Sequence, residues 1–122
     1  MRVRAARGAI TVERDEADAI VSATARLLKE LVGANGVAPD DVISVVFTTT
    51  DDLRAAFPAE GARRVGLDDV PLLCAREIDV PGAMPRVVRV LMHFHTEREQ
   101  AGVQGVYLEG AESLRRTGHG EG

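Results

Sequence analysis

The run Val87-Val88-Arg89-Val90-Leu91-Met92 restricts the fold of this chain more than any other feature. Apolar and β-branched residues at this density form a strand, with Val88, Val90 and Met92 facing one way and Val87, Arg89 and Leu91 the other. Both faces are apolar, so the strand needs cover on both sides, and a guanidinium stands in the middle of one cover. Arginine stays charged at any ordinary pH, and burying it is costly without a partner. Arg89 therefore reads either as half of a structural ion pair with Glu77 or as a cation held for an anionic or electron-rich ligand.

The remaining elements follow from periodicity. Arg2 to Val12 alternates as a strand that places Arg7 among Val3, Ala5, Ala9 and Thr11; Gly8 beside it implies close backbone approach or room for a ligand. Asp15 to Ala34 carries apolar residues at helical spacing, with Asp15 as the expected cap and Gly33 and Asn35-Gly36 as the stop. Val42 to Thr50 is β-branched throughout and apolar on both faces, as an interior strand should be. Leu53 to Phe57 is expected to make one helical turn, and PAEGARRVG a second short helix opened by Pro58 and ended by Gly66.

A third strand is predicted over Val70 to Glu77, then a Pro/Gly-rich connection to Pro85, a fourth strand from Arg86 to His95, and a fifth strand from Val103 to Leu108. Strict alternation separates Cys74 from Glu77, so the strand must end or bulge between them if both are to meet one ligand. A single domain over residues 1–110 is expected, with 111–122 as a flexible tail rich in glycine, in which Leu114-Arg115 alone would dock. One long helix and a short one cannot cover this many strands on both faces, so further copies of the chain are expected to cover the rest.

Composition narrows the function. The formal charge of −4 argues against nucleic acid as a partner. The longest apolar runs are too short for a membrane span, and the charged start MRVRAARG lacks the apolar core of a signal peptide, so a cytoplasmic protein is expected. A lone cysteine rules out a disulfide framework. His93 and His95 share a strand face, but His119 is the remaining histidine and lies in the tail, so no metal site is expected. The sequence shows no Ser/His/Asp order and no phosphate loop. Arg7, Arg89, Glu77, Cys74 and Tyr107 instead suit a small, multiply anionic molecule held in one conformation.

The segments RGAITVERD, FPAE, VPLLCARE, VRVLM and VYLEGAESLR, in this order and spacing, resemble the monofunctional chorismate mutases of the Bacillus type. The resemblance extends from about Arg4 to Arg115. It implies an α+β fold, a mixed sheet packed by helices, assembled as a trimeric pseudo-α/β barrel with a site at each subunit interface. It also implies a Claisen rearrangement of chorismate to prephenate, without cofactor, on the route to phenylalanine and tyrosine.

By the same resemblance Arg7 and Tyr107 bind substrate carboxylate, Arg89 reaches the ether oxygen of the breaking bond, and Glu77 and Cys74 meet the ring hydroxyl. Phe57, Ala59 and Arg63 would come from the neighbouring chain, Leu73 and Ile78 would form walls, and Leu114 and Arg115 would help close the cleft. Glu60 stands where the family pattern has lysine, and the tail reads Arg115-Arg116-Thr117 instead of arginine-proline-aspartate. Two other readings share the architecture: a trimeric imine deaminase of the YjgF/RidA kind, and a catalytically silent metabolite-binding trimer.

Overall fold

The structure, a computed structural model, describes residues 1–116. Five strands form one mixed sheet: β1 (Arg2–Thr11), β2 (Val42–Thr49), β3 (Leu72–Arg76), β4 (Val87–Thr96) and β5 (Val106–Leu108), in the order β3-β2-β4-β1-β5. β4, which carries Arg89, lies at the centre and runs antiparallel to both β1 and β2, while the outer pairs β1·β5 and β2·β3 are parallel. Helix α1 (Ala17–Asn35) connects β1 to β2, and the short α2 (Glu60–Arg64) precedes β3.

The apolar stripe of α1 lies on one face of the sheet, and Ile20, Leu27, Leu28 and Leu31 pack with Ile10, Phe47, Val90, Met92 and Phe94 in the main core. The side-chain-free Gly8 allows this approach: a Cβ there would sit 2.9 Å from the Val106 carbonyl oxygen and 3.1 Å from Leu27 Cδ1. Its role is close packing against the helix, not room for a ligand. Gly61 does the same for α2, whose backbone would otherwise drive a Cβ to 2.8 Å from Ala25 N.

Several boundaries differ from the periodicity. Leu53 to Phe57 is not helical, and Asp15 does not cap α1. One contact accounts for both: the Asp15 carboxylate accepts from the backbone N–H groups of Arg54 and Ala55 at 2.8 and 2.9 Å, and so pins that segment across the start of the helix. At its other end α1 stops at Gly36, which takes the left-handed conformation at φ 61°. α2 is shorter than PAEGARRVG, β3 is confined to Leu72–Arg76, and β5 begins only at Val106.

The chain beyond β5 continues as a 3-10 segment over Glu109–Arg116, so the expected domain boundary at 110 falls within a regular element. Ala111 is fully buried in a second, smaller cluster with Ala9 and Val87, against which Met84, Tyr107 and Leu114 pack. This cluster lies on the sheet face opposite α1. Residues 117–122 of the expected tail, His119 included, lie outside the described residues.

Candidate active site

Strand register decides which functional side chains share a surface. Thr48 on β2 and Ala9 on β1 both pair with Arg89, and Ala9 pairs in turn with Tyr107 on β5. Arg7 pairs with Leu91. Because paired residues point to the same side of a sheet, Arg7, Thr48, Arg89 and Tyr107 occupy the face turned away from α1. That face is only partly covered within the chain: Arg7, Thr48, Arg89, Leu91 and Tyr107 are half-buried, and Leu73 is exposed.

Arg89 stands on the wall of a cleft of about 680 Å³, whose other walls are Glu77, the connection from Ile78 to Pro85, and Thr50 to Asp52. The volume suits a small metabolite. The side chains of Arg89 and Glu77 are 15 % and 30 % exposed, so both charges are largely desolvated. Arg89 Nε lies 3.7 Å from Glu77 Oε1, an ion pair longer than a hydrogen bond. The same carboxylate oxygen accepts a 2.6 Å hydrogen bond from the Thr48 hydroxyl.

Short polar contacts fix the cleft's margins. β3 ends at Arg76, yet the Glu77 N–H still bonds the Thr49 carbonyl at 2.9 Å, which delivers Glu77 beside Thr48. Arg76 Nη1 donates to the carbonyls of Thr50 and Leu53 at 2.8 and 3.1 Å. Asp52 accepts from the Arg86 N–H with both carboxylate oxygens, at 3.1 and 3.0 Å, and from the Thr50 hydroxyl at 2.5 Å. Arg86 holds φ 51° at this clamp, unusual for a residue with a side chain. The far end of the connection is therefore tied down where the central strand begins.

The predicted site residues do not all meet in one chain. Ile78 joins Glu77 and Arg89 in the first cleft. Arg7 and Tyr107 share Arg89's face but do not line that cleft. Cys74 pairs with Phe47, on the α1 side of the sheet, and lines a second cleft of about 440 Å³ together with Phe57. Cys74 and Glu77 thus belong to different clefts. Phe57 is 71 % exposed there. Ala59 caps the start of α2, and Arg63 is exposed on that helix beside Asp18 and Glu60.

The Arg115 guanidinium stands over the Tyr107 ring, 5.9 Å from its centroid, while Leu114 packs into the cluster that Met84 joins to the first cleft. His93 meets the Ser44 hydroxyl at 3.3 Å, and no group of three or more potential ligands stands ready for a metal ion among the described residues. No helix among them is long and apolar enough to cross a membrane. Thr48 was not singled out by sequence. Its position opposite Arg89 depends on the register of β2 against β4, which the run of β-branched residues leaves open.

Comparison with known proteins places the chain in a family. Residues 3–117 match the family described as Chorismate mutase type I. A Chorismate mutase AroH of Thermus thermophilus is 51 % identical over 114 residues, spanning 93 % of each chain. A Chorismate mutase AroH of Bacillus subtilis (strain 168) is 39 % identical over 116 residues, spanning 94 % of this chain and 91 % of that one. Among solved structures, a chorismate mutase from Clostridium thermocellum superposes with a TM-score of 0.88 at 48 % identity, covering 90 % of this chain and 98 % of that one. These matches give no support to an imine deaminase. The chain belongs to the type I chorismate mutase family.

Proposed function

We propose that this protein is a cytoplasmic, homotrimeric chorismate mutase that rearranges chorismate to prephenate, with each site shared between two chains. The observation that carries the chemistry is Arg89: a largely buried guanidinium on a cleft wall, with the nearby Glu77 carboxylate 3.7 Å away. In the rearrangement one carbon–carbon bond forms as the ether C–O bond breaks, and no proton changes hands. The protein contributes by holding the reactive conformer and by placing positive charge where the ether oxygen becomes electron-rich. Arg89 supplies that charge. Arg7 and Tyr107 hold a substrate carboxylate, with Leu73 and Ile78 as walls and Leu114 and Arg115 closing the margin.

Two observations support a shared site. Of the residues lining the first cleft Arg89 is the cation, set among Asp51, Asp52, Glu77 and Asp79, and this is a poor balance for a dianionic substrate. More positive charge must arrive, and Arg63 on a neighbouring chain provides it. The second observation is exposed apolar surface: Phe57, Leu73 and Ile78 are 71, 63 and 80 % exposed, more than an isolated chain should leave open. Cys74 shares the cleft of Phe57, so it enters the assembled site with Phe57, Ala59 and Arg63, and it meets the ring hydroxyl from the side opposite Glu77. No nucleic acid, membrane or cofactor takes part.

The experiment is direct. Purified protein is mixed with chorismate, loss of chorismate absorbance is followed, and prephenate is confirmed by acid conversion to phenylpyruvate. Stoichiometric prephenate, at a rate unaffected by chelators, is the expected result. No consumption by folded protein would refute the reading and leave a silent metabolite-binding trimer in its place.

A further inference from the structure

Thr48 sits where the three strands that build the first cleft come together. It is the register partner of Arg89 on β4 and of Ala75 on β3, and it bonds Glu77 just beyond the end of β3. Glu77 Oε1 is thus placed between two donors: 2.6 Å from the Thr48 hydroxyl and 3.7 Å from Arg89 Nε. A charge-assisted N–H···O bond closes to about 2.7–2.9 Å. With both side chains mostly shielded from water, their attraction is strong, and an unanchored carboxylate this near would be drawn onto the guanidinium.

We propose that Thr48 is a positioning residue for the rearrangement: its hydroxyl anchors the Glu77 carboxylate and keeps it from closing on Arg89 as a tight ion pair. The proposal rests on the role of Arg89 given above. A closed pair would spend the arginine's field on a fixed carboxylate already present in the ground state. A held-off carboxylate orients the guanidinium and leaves its charge for the oxygen that becomes negative only as the C–O bond breaks. Threonine suits the task on a strand, because its branched Cβ restricts χ1 and presets the hydroxyl while fitting the pleated surface.

The test replaces the hydroxyl by a methyl group of the same shape. Thr48→Val should lower kcat by about 10-fold or more, the range set by losing a hydrogen bond to a charged group, with a smaller change in KM. Thr48→Ser, which keeps the donor, should restore most of kcat. In a Glu77→Gln background, where no carboxylate remains to close on Arg89, Thr48→Val should cost little further. A structural threonine would not show that dependence on the charge at position 77. Thr48→Ala serves equally should the valine variant fail to fold.

Wild-type kcat in Thr48→Val overturns the proposal. So does an equal loss whether or not the Glu77→Gln change is present, or a serine variant as impaired as the valine one. If the wild-type protein itself does not consume chorismate, the role of Arg89 fails first, and the two failures are told apart by that control.

Discussion

At the scale of single residues, the proposed chemistry depends on where one cation is held. Arg89→Ala should reduce kcat by about 10²–10³-fold, as removal of one preorganised donor does at oxyanion sites, with a lesser effect on KM. Steady-state kinetics check this, and a near-native rate would refute the role. Arg89→Lys should recover little, because a flexible point charge does not replace a fixed planar fork. Cys74→Ser should leave turnover close to wild type, since a hydroxyl can meet the substrate's ring hydroxyl as a thiol does. Loss of turnover in folded Cys74→Ser, together with inactivation by thiol alkylation, would point instead to chemistry at the sulfur.

At the scale of elements, close approaches and clamps hold the framework. Gly8 lets β1 run directly beneath α1, and a Cβ would meet Val106 O at 2.9 Å and Leu27 Cδ1 at 3.1 Å. Gly8→Ala should therefore destabilise the fold by about 1–3 kcal/mol, the usual cost of overpacking, read as a lower urea midpoint at unchanged slope. The connection from Ile78 to Pro85 depends on a different device, the Asp52 carboxylate on the Arg86 N–H. Asp52→Ala should loosen that wall and raise KM more than it lowers kcat; an unchanged KM would separate the clamp from substrate binding. Farther from the site, Arg26 bonds Glu109 at 2.5 Å and so ties α1 to the C-terminal 3-10 segment. The hydrogen bond it donates to Glu109, then that to Glu30, holds the Arg26 guanidinium above the ordinary arginine value. Its charge persists throughout the working pH range and would be lost only in strong alkali.

At the scale of the whole molecule, the sheet has one face covered by α1 and one only partly covered within the chain. Light scattering should show a trimer at micromolar concentration, and a monodisperse monomer or dimer would refute it. A sharper experiment uses the proposed sharing of each site. Arg63→Ala and Arg89→Ala chains are unfolded together and refolded at equal concentration. By head-to-tail symmetry each mixed trimer has one interface with both lesions, one with a single lesion and one with none. Random assembly makes about three-quarters of trimers mixed, so activity should rise to about a quarter of wild type, well above either parent refolded alone. If mass spectrometry proves exchange and no activity returns, each site lies within one chain.

Much of this was determined by the sequence alone. The period of Val87 to Met92 required a strand covered on both sides with Arg89 in one cover, and the stripe from Ile20 to Leu31 required a helix packed against a sheet. Five segments carried the family resemblance. These features are local, because side-chain alternation and helical spacing are properties of a few consecutive residues. What joins distant segments was left to tertiary structure. Asp15 looked like a helix cap until it met Arg54 and Ala55, some forty residues away in sequence. Thr48 was one of three successive threonines until the register of β2 against β4 set it opposite Arg89 and beside Glu77. Cys74 and Glu77 looked like partners and were parted into two clefts because β3 keeps alternating up to Arg76. Register and hydrogen bonds between distant segments are settled by what packs against each strand, and a one-residue shift turns every side chain to the other face.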